Sequence, residues 1–169
     1  MASERIVFKN FESTGNLWIR TIESSDLEML REWRNTHRTV LFFKEMINPD
    51  KQRKWYQGYL KRRDDFMFMI INNDIPIGCV GVRKIEGFWD VYNLIRGVIS
   101  RETRTFMAEA TLKVCSFAVQ RQRLPVYGRP LTRNKSALKF SQRIGFEVIG
   151  EGVEQEDRFT LLEYKQPNK

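Results

Sequence analysis

The first third of the chain alternates between strand-like and helix-like hydrophobic patterns. Apolar and polar residues alternate over Leu17–Ile22, which predicts a strand with one buried face. Ser25-Asp26-Leu27-Glu28 matches a capping box, in which side chains satisfy the free amides of a helix start, and this helix is predicted to run to about Thr36. Pro49 is expected to open a second helix that extends to about Arg62.

An apolar run, a polar turn and a second apolar run predict a β-hairpin in the middle of the chain. Phe66–Ile71 is followed by Asn72-Asn73-Asp74 and then by Ile75–Ile85, an arrangement typical of two antiparallel strands joined by a short turn. A third strand is predicted at Val91–Ile99. From Phe106 to about Arg121 the apolar residues recur at helical spacing, so a long helix is expected there.

The C-terminal part continues with one helix between extended segments. Pro125–Leu131 is expected to be extended. Asn134 is predicted to cap a helix that ends at Gly145, because asparagine accepts hydrogen bonds from the first free amides and glycine tolerates the left-handed backbone beyond a helix. Two strands are predicted to follow, at Phe146–Ile149 and Phe159–Tyr164.

The predicted order of elements is β-α-α-β-β-β-α-β-α-β-β, in a chain of 169 residues that suits one core. This order favours a single α/β (α+β) domain. Its central sheet is expected to be mixed and mostly antiparallel, flanked by helices, with one central β-α-β crossover. Residues 1–15 are interpreted as an N-terminal arm and residues 16–165 as the domain.

Composition adds a strong positive charge. The 29 basic residues exceed the 21 acidic ones, and the formal net charge is +8. This balance favours an anionic partner, such as a nucleotide, coenzyme A, a sugar nucleotide or nucleic acid, and disfavours polycationic substrates such as aminoglycosides and polyamines.

The chain carries none of the usual signals for a membrane or secreted location. No apolar run approaches the roughly 20 residues of a membrane helix, and the charged first residues do not resemble a secretory signal. We therefore expect a cytoplasmic protein without a membrane partner. Cys79 and Cys115 each lie inside an apolar segment and are expected to be buried thiols.

Two segments of the chain resemble the GCN5-related N-acetyltransferase (GNAT) superfamily. Asn134-Lys135-Ser136-Ala137-Leu138-Lys139-Phe140-Ser141-Gln142-Arg143-Ile144-Gly145-Phe146 is similar to the superfamily's Asn…Gly-Phe segment, whose helix flanks the bound cofactor. The front half, up to the strand Ile77-Gly78-Cys79-Val80-Gly81, is similar to the superfamily's order of strand, helix and hairpin. The likeness covers about Leu17–Tyr164.

The resemblance implies an N-acyltransferase that moves an acetyl or other acyl group from acetyl-CoA, or another acyl-CoA, to a primary amine. Trp33-Arg34-Asn35 and the basic segment through Lys54-Trp55 resemble the branch that acts on small molecules, which includes amino-sugar-nucleotide acetyltransferases. They also resemble the ribosomal-protein alanine acetyltransferases. Together with the positive charge, this implies a small anionic amine acceptor that Arg34 and Asn35 would contact.

In the superfamily, a glycine-containing loop at a helix N-terminus binds the diphosphate of the cofactor through main-chain amides. The corresponding stretch, Ser100–Met107, has no glycine. We expect Arg101 and Arg104 to bind the diphosphate instead, because a guanidinium donates two parallel hydrogen bonds to a phosphate. A helix that begins near Thr105 is expected to leave three amides free, those of Thr105, Phe106 and Met107.

The resemblance also suggests the remaining site residues. The main chain of Val98 and Ile99 would polarise the thioester carbonyl. Asn134 would contact the cofactor or simply cap its helix. Ser141 stands where the superfamily often has the tyrosine that protonates the thiolate. Asp90, next to Trp89, is the candidate general base, because partial desolvation makes a carboxylate a better proton acceptor.

The sequence also allows a second function. The missing glycines and tyrosine also fit a GNAT-like scaffold without standard CoA chemistry, which binds or modifies nucleic acid. The region of the second helix interleaves basic and aromatic side chains, as nucleic-acid surfaces do, although an amphipathic helix with a solvated face shows the same pattern. These side chains are Lys51, Arg53, Lys54, Trp55, Tyr56, Tyr59, Lys61, Arg62 and Arg63. The chain is expected to be a monomer or a homodimer.

Overall fold

The computed structural model describes residues 4–12 and 15–166, which form one eight-stranded sheet and four α-helices. The strands are β1 (Val7–Phe8), β2 (Leu17–Thr21), β3 (Asp65–Asn72), β4 (Ile75–Ile85), β5 (Phe88–Arg96), β6 (Val126–Gly128), β7 (Phe146–Glu154) and β8 (Asp157–Tyr164). The helices are α1 (Leu27–Thr36), α2 (Pro49–Tyr59), α3 (Arg101–Arg121) and α4 (Lys135–Arg143).

The sheet has the strand order β1-β2-β3-β4-β5-β6-β8-β7. Every neighbouring pair is antiparallel except β5 and β6, which run parallel and are connected through α3. The predicted α/β domain, with its mostly antiparallel sheet and central β-α-β crossover, is therefore confirmed.

Helices cover both faces of the sheet, and each face has its own hydrophobic core. Because successive residues of a strand point to opposite faces, Val80 belongs to the core beneath α3, with Phe106 and Val114. Its neighbour Cys79 belongs to the core beneath α1 and α2, with Tyr59. The sheet thus separates an α3 side from an α1–α2 side.

Local signals in the sequence account for several element boundaries. Asn73 and Asp74 both have positive φ angles, 50° and 62°, as a two-residue hairpin turn requires. The side chain of Asn134 accepts a hydrogen bond from the amide of Ala137 at 3.2 Å, and Gly145 has a φ of 103° beyond the end of α4. The hairpin and both helix ends are confirmed.

Two boundaries around the central crossover differ from the prediction. Strand β5 ends at Arg96, before Val98 and Ile99, and α3 begins at Arg101 instead of near Thr105. The side chain of Ser100 accepts a hydrogen bond from the amide of Thr103, while the hydroxyl of Thr103 accepts one from the amide of Ser100, at 3.2 and 3.1 Å. This reciprocal cap fixes the earlier start.

Two further boundaries also differ. The carboxylate of Asp26 accepts a hydrogen bond from the amide of Glu23 at 2.7 Å, so the cap before α1 lies two residues earlier than predicted. The predicted arm, residues 1–15, contains β1, which pairs with β2; the rest of that assignment includes residues outside the described part. Within the described ranges, every helix is too short or too polar to cross a membrane.

Candidate functional site

A gap opens in the middle of the sheet where β5 and β6 stop pairing. The two parallel strands are in register only at Trp89, Asp90 and Val91. From Tyr92 to Arg96, no strand of the described residues pairs with β5 on that side, although β5 still pairs with β4 on the other. The amides of β5 that face the gap therefore have no β-ladder acceptor.

A bulge in β5 lies at the start of this gap. Two residues, Asn93 and Leu94, stand opposite the single residue Val80 of β4, and Asn93 has a left-handed φ of 48°. Bulges of this kind bend a strand and change the direction of its side chains. Asparagine is one of the few residues that adopts the left-handed region readily.

The gap opens into a cleft of about 710 Å³ that reaches both sides of the sheet. On the α3 side its walls include Thr111 of α3 and Ala137 and Ser141 of α4. On the α1–α2 side they include Leu30 of α1 and Trp55 of α2. The cleft is therefore lined by residues from both faces of the sheet.

The α1–α2 side of the cleft is strongly basic. Of the described residues, six with basic side chains line the cleft, against the two carboxylates of Asp90 and Glu154, so the cleft presents a positive field to a ligand that enters it. The six are Arg34, Lys51, Lys54, Arg62, Arg83 and Arg129.

Arg34 is the most unusual of these basic residues. Its Nη1 donates to the side-chain oxygen of Asn93, and its guanidinium lies over the ring of Phe43 at 5.8 Å. Among the described residues no carboxylate lies within 4.0 Å of it. Burial lowers the pKa of Arg34, and the nearby charge of Arg83 lowers it further.

Tyr92 lies beneath Arg83 in the cleft. Its ring lies across β4 at Gly81, where a Cβ atom would approach the ring to 2.6 Å, so only glycine leaves room for it. Its hydroxyl donates to Asp65, and burial raises the pKa of Tyr92 well above its ordinary value. The guanidinium of Arg83 lies over the ring at 4.5 Å.

Asp90 connects two arginines in the wall of the cleft. It is only 1% exposed. Its carboxylate accepts from Nε of Arg83 at 3.0 Å and from Nε and Nη2 of Arg129 at 3.0 and 3.1 Å. Arg129 also donates to Glu154. Asp90, expected to be a partly desolvated base, is therefore a buried carboxylate paired with two arginines, Arg83 of β4 and Arg129 just after β6.

A loop between α1 and α2 closes one side of the cleft. It is fastened to the β7–β8 hairpin and its surroundings by Lys44, which pairs with Asp157 at 2.5 Å, and by Arg133, which donates to the carbonyl of Thr39 at 2.9 Å. Phe43 and three other loop residues face the cleft, namely Val40, Leu41 and Phe42.

Four of the predicted site residues line this cleft, and Asn35 lies beside it. Arg34, Asp90, Asn134 and Ser141 contribute to its walls. Asn35 is buried, and its amide group exchanges two hydrogen bonds with the main chain of Ile47, at 2.8 and 2.9 Å. Asn35 therefore fixes the loop before α2 to α1. Its side-chain amide is used in this contact and does not face the substrate cleft.

The predicted cofactor residues are arranged differently from the expectation. The amide of Val98 donates to the carbonyl of Ile77 at 3.0 Å, and Ile99 is 74% exposed. The amide of Val98 is therefore already engaged, and the amides of β5 that face the gap belong to the preceding residues. Phe106 and Met107 are buried in the α3-side core.

The earlier start of α3 also moves the free amides of its N-terminus. The amides of Thr105, Phe106 and Met107 lie within the helix, where they bond to carbonyls one turn back, so the expectation that they are free is wrong. The unsatisfied amides are those of Arg101 and Glu102, since Thr103 is capped. Arg101 and Arg104 are exposed on the first turn.

These residues fit the cofactor that the resemblance implies. The gap beside β5 offers unpaired main-chain amides, the α3 side of the cleft is lined by Thr111, Ala137 and Ser141, and the start of α3 offers two free amides with two exposed arginines. Phe106 and Met107 point into the core and do not fill this corner. An acyl chain, its carbonyl and a diphosphate each find a chemically suitable partner.

The basic and aromatic region of α2 is less exposed than the sequence suggests. Tyr59 is buried, and Trp55 and Tyr56 stack on it with ring centroids 5.4 and 6.0 Å away. Three of its basic side chains, Lys51, Arg53 and Arg62, form ion pairs. The pattern is mainly that of an amphipathic helix, and nucleic-acid binding stays a prediction.

Sequence reasoning missed four residues of the site, namely Arg83, Asn93, Arg129 and Glu154. Arg83 and Asp90 face each other in the β4–β5 register, and the short connection between these strands signals that they pair. Arg129 and Glu154 meet Asp90 only through the β5–β6 and β7–β8 pairings. Those contacts join segments that are distant in the sequence, so no local sequence pattern predicts them.

The comparisons with known proteins agree with this architecture. The model of the acetyltransferase (GNAT) domain matches residues 16–147. The chain therefore belongs to the GNAT acetyltransferase family. Among curated proteins no match was found.

Several solved structures share the fold at low sequence identity. A probable GNAT-family acetyltransferase from Chromobacterium violaceum is 15% identical with a TM-score of 0.73, over 96% of this chain and 88% of that one. Spermidine N-acetyltransferase from Vibrio cholerae, in complex with CoA and spermine, is 18% identical with a TM-score of 0.67, over 87% and 94%. AAC(6')-Ib in complex with ribostamycin and coenzyme A is 16% identical with a TM-score of 0.72, over 89% and 93%.

Proposed function

We propose that this protein transfers an acetyl group from acetyl-CoA to a primary amine of a small anionic acceptor, such as an amino-sugar nucleotide. The observation that carries the proposal is the gap between β5 and β6, which opens on one side towards α3 and α4 and on the other into a basic cleft. A reaction between an acyl donor and an amine needs this arrangement, because both must reach one point from opposite directions.

The charge of the cleft favours an anionic acceptor over a polycation. Spermine, found in the Vibrio cholerae enzyme, and ribostamycin, found in AAC(6')-Ib, both carry several amines. Here both carboxylates of the cleft are already paired with arginines, Asp90 with Arg83 and Arg129, and Glu154 with Arg129. They leave little negative charge to attract a polyamine.

Main-chain and side-chain groups of this chain divide the chemistry between them. Bound acetyl-CoA supplies a thioester carbonyl for attack by the amine. The unpaired amides of β5 beyond Val91 would donate to that carbonyl oxygen, where negative charge develops. The hydroxyl of Ser141 faces the cleft from α4 and would return a proton to the thiolate. Arg101 and Arg104 would hold the diphosphate at the start of α3, and Asn134 lines the same side of the cleft.

The residue that removes the proton of the amine is best assigned to Glu154. Both oxygens of Asp90 are engaged by guanidinium groups inside the protein, so Asp90 is better suited to hold Arg83 and Arg129 in position. The Oε2 of Glu154 accepts from Arg129, while its Oε1 has no hydrogen-bond partner among the described residues. Glu154 is also more exposed, with 38% of its side chain accessible.

Calorimetry and a turnover assay together test the proposal. We expect acetyl-CoA and CoA to bind, and free CoA to be released when an amino-sugar nucleotide is added. Spermine and an aminoglycoside are the matched cationic acceptors and should give slower release. No heat with acetyl-CoA at millimolar concentration would overturn the enzyme assignment, and preference for spermine would overturn the anionic acceptor.

A further inference from the structure

Arg34 and Arg83 stand on the same side of the sheet and face the same cleft. Arg34 belongs to α1 and Arg83 to β4, yet both line the α1–α2 side, where Arg34 lies over Phe43 and Arg83 lies over Tyr92. Each is held by one polar partner: Nη1 of Arg34 donates to Asn93, and Nε of Arg83 donates to Asp90. Their positions are therefore fixed before any ligand arrives.

Both guanidinium groups keep N–H donors that no other described group uses. Among the described residues, Nε and Nη2 of Arg34 and Nη1 and Nη2 of Arg83 donate to no acceptor. A half-buried guanidinium without a carboxylate is unfavourable in a protein unless an anion completes it. Among the described residues no carboxylate supplies that anion to Arg34, and Arg83 shares Asp90 with Arg129, so both guanidinium groups keep N–H donors for a ligand.

We propose that Arg34 and Arg83 form a clamp for a phosphoryl group of the acceptor, and that this group determines which amines are used. The inference rests on the proposed function and specifies its substrate class. The four free nitrogen donors exceed the two oxygens of a carboxylate, whereas a phosphate or diphosphate offers three or more. Planar guanidinium groups also match phosphate oxygens in pairs.

The clamp is separate from the place where the cofactor's own diphosphate would bind. Arg34 and Arg83 lie on the α1–α2 side of the sheet, whereas Arg101 and Arg104 lie at the start of α3. An acceptor held by its phosphoryl group would extend its amine towards the gap beside Tyr92. The clamp therefore positions the acceptor without touching the reacting atoms.

Asn93 offers an isosteric way to switch the clamp off. Its side-chain oxygen accepts from Arg34, so Asn93→Asp keeps the geometry and adds a negative charge. Aspartate tolerates the left-handed backbone at this position nearly as well as asparagine. The new carboxylate would neutralise Arg34 and compete with the ligand.

The test is calorimetry with inorganic pyrophosphate and with UDP, in the presence of saturating CoA so that the α3 corner is occupied. We expect at least tenfold weaker binding of both probes to Arg34→Gln, Arg83→Gln and Asn93→Asp. Arg158→Gln, which removes an exposed arginine of β8 that pairs with Glu151, is the matched control and should bind normally. Tighter binding of UDP than of pyrophosphate would indicate a nucleotide-linked acceptor, and equal binding a simple phosphorylated one.

Several results would overturn the clamp. These are unchanged affinity in Arg83→Gln and Asn93→Asp, no binding of pyrophosphate to the CoA-saturated protein, or acetate binding as tightly as pyrophosphate. Arg83 is partly exposed, so its variant should fold even if that of Arg34 does not. A separate CoA titration distinguishes the two proposals. Pyrophosphate binding without CoA binding would leave the clamp and remove the acetyltransferase, and the reverse result would remove only the clamp.

Discussion

The indole ring of Trp33 lies directly against Gly97, where a Cβ atom would approach the ring to 2.0 Å. Trp33 is in the last turns of α1, next to Arg34, and Gly97 follows the end of β5. Contact at this distance is possible only because glycine has no side chain. The pair therefore fixes the end of α1 to the sheet and sets the position of Arg34 over the cleft.

Gly97→Ala should move or loosen α1. Because the new methyl group overlaps the ring of Trp33, we expect a loss of about 1–3 kcal/mol of stability. The matched control is Gly58→Ala in α2, where no atom lies within 4 Å of the new Cβ. Alanine is preferred in helices, so this control should gain about 0.5–1 kcal/mol. Urea unfolding measures both, and an unchanged midpoint for Gly97→Ala would show that Trp33 is not tightly packed there.

Arg104→Ala should weaken the binding of CoA. Arg104 is exposed on the first turn of α3, beside the free amides of Arg101 and Glu102. A charge-assisted contact to phosphate contributes roughly 1.5–3 kcal/mol, which corresponds to about a tenfold to hundredfold loss of affinity. Calorimetry with CoA measures the loss, with Arg158→Ala as the control. If the affinity of Arg104→Ala equals that of the parent, Arg104 is not part of the diphosphate site.

Asp90→Asn should mainly lower stability, whereas Glu154→Gln should mainly lower activity. Asp90 is buried between two guanidinium groups, so its loss leaves unpaired charges and should cost about 3–5 kcal/mol of stability. Glu154 is partly exposed, and its loss should cost at most about 1 kcal/mol.

The catalytic rates of these variants separate the roles of the two carboxylates. Because Glu154 is the proposed base, Glu154→Gln should lower kcat by roughly a hundredfold or more without changing the affinity for CoA. Thermal unfolding and steady-state kinetics measure the two effects. A fully active Glu154→Gln variant would exclude this residue as the base.

Cys79 and Cys115 should resist alkylation in the folded protein. Burial raises the pKa of both thiols to about 12, so at pH 8 almost no thiolate is present and little of it is accessible. Iodoacetamide should label both residues about a hundredfold faster in concentrated urea than in buffer. Mass spectrometry of the labelled protein shows the difference, and rapid labelling of Cys79 in buffer would mean that the cleft exposes it.

The same shift gives a pH dependence of stability with a definite sign. In the unfolded chain these thiols ionise near their ordinary pKa of 9.0, whereas in the folded protein they ionise near 12. Their contribution is therefore complete below pH 9 and is lost as the pH rises towards 12. The double variant Cys79→Ala and Cys115→Ala should show a shallower loss of stability over this range. If stability falls equally steeply with pH in the parent and in the double variant, the raised pKa values of the two thiols are contradicted.

Short-range features of the chain predicted the fold well, and the site only in part. The turn at Asn73-Asp74 and the cap at Asn134 are local, since each depends on a few neighbouring residues. The start of α3 was also readable, because its buried residues continue back to Thr103 with helical spacing. The prediction placed the helix start too late because it followed the loop of related proteins instead of this pattern.

The cleft could not be predicted from local sequence patterns, because it depends on pairing between strands that are distant in the sequence. Arg83, Asp90 and Arg129 come from β4, β5 and the segment after β6, and they meet only once the sheet has formed. The bulge at Asn93 changes which residues of β5 face the cleft, so the simple alternation of a strand fails beyond Val91.

Asn93 connects the gap in the sheet with Arg34, one of the two proposed clamp residues. Its left-handed backbone marks the bulge at which the gap in the sheet begins, and its side chain holds Arg34 on the opposite wall of the cleft. A replacement that cannot adopt this backbone would disturb the donor and the acceptor positions together. Evolution towards a new acceptor would therefore be easier through Arg83 or the α1–α2 loop, which can vary without altering the gap.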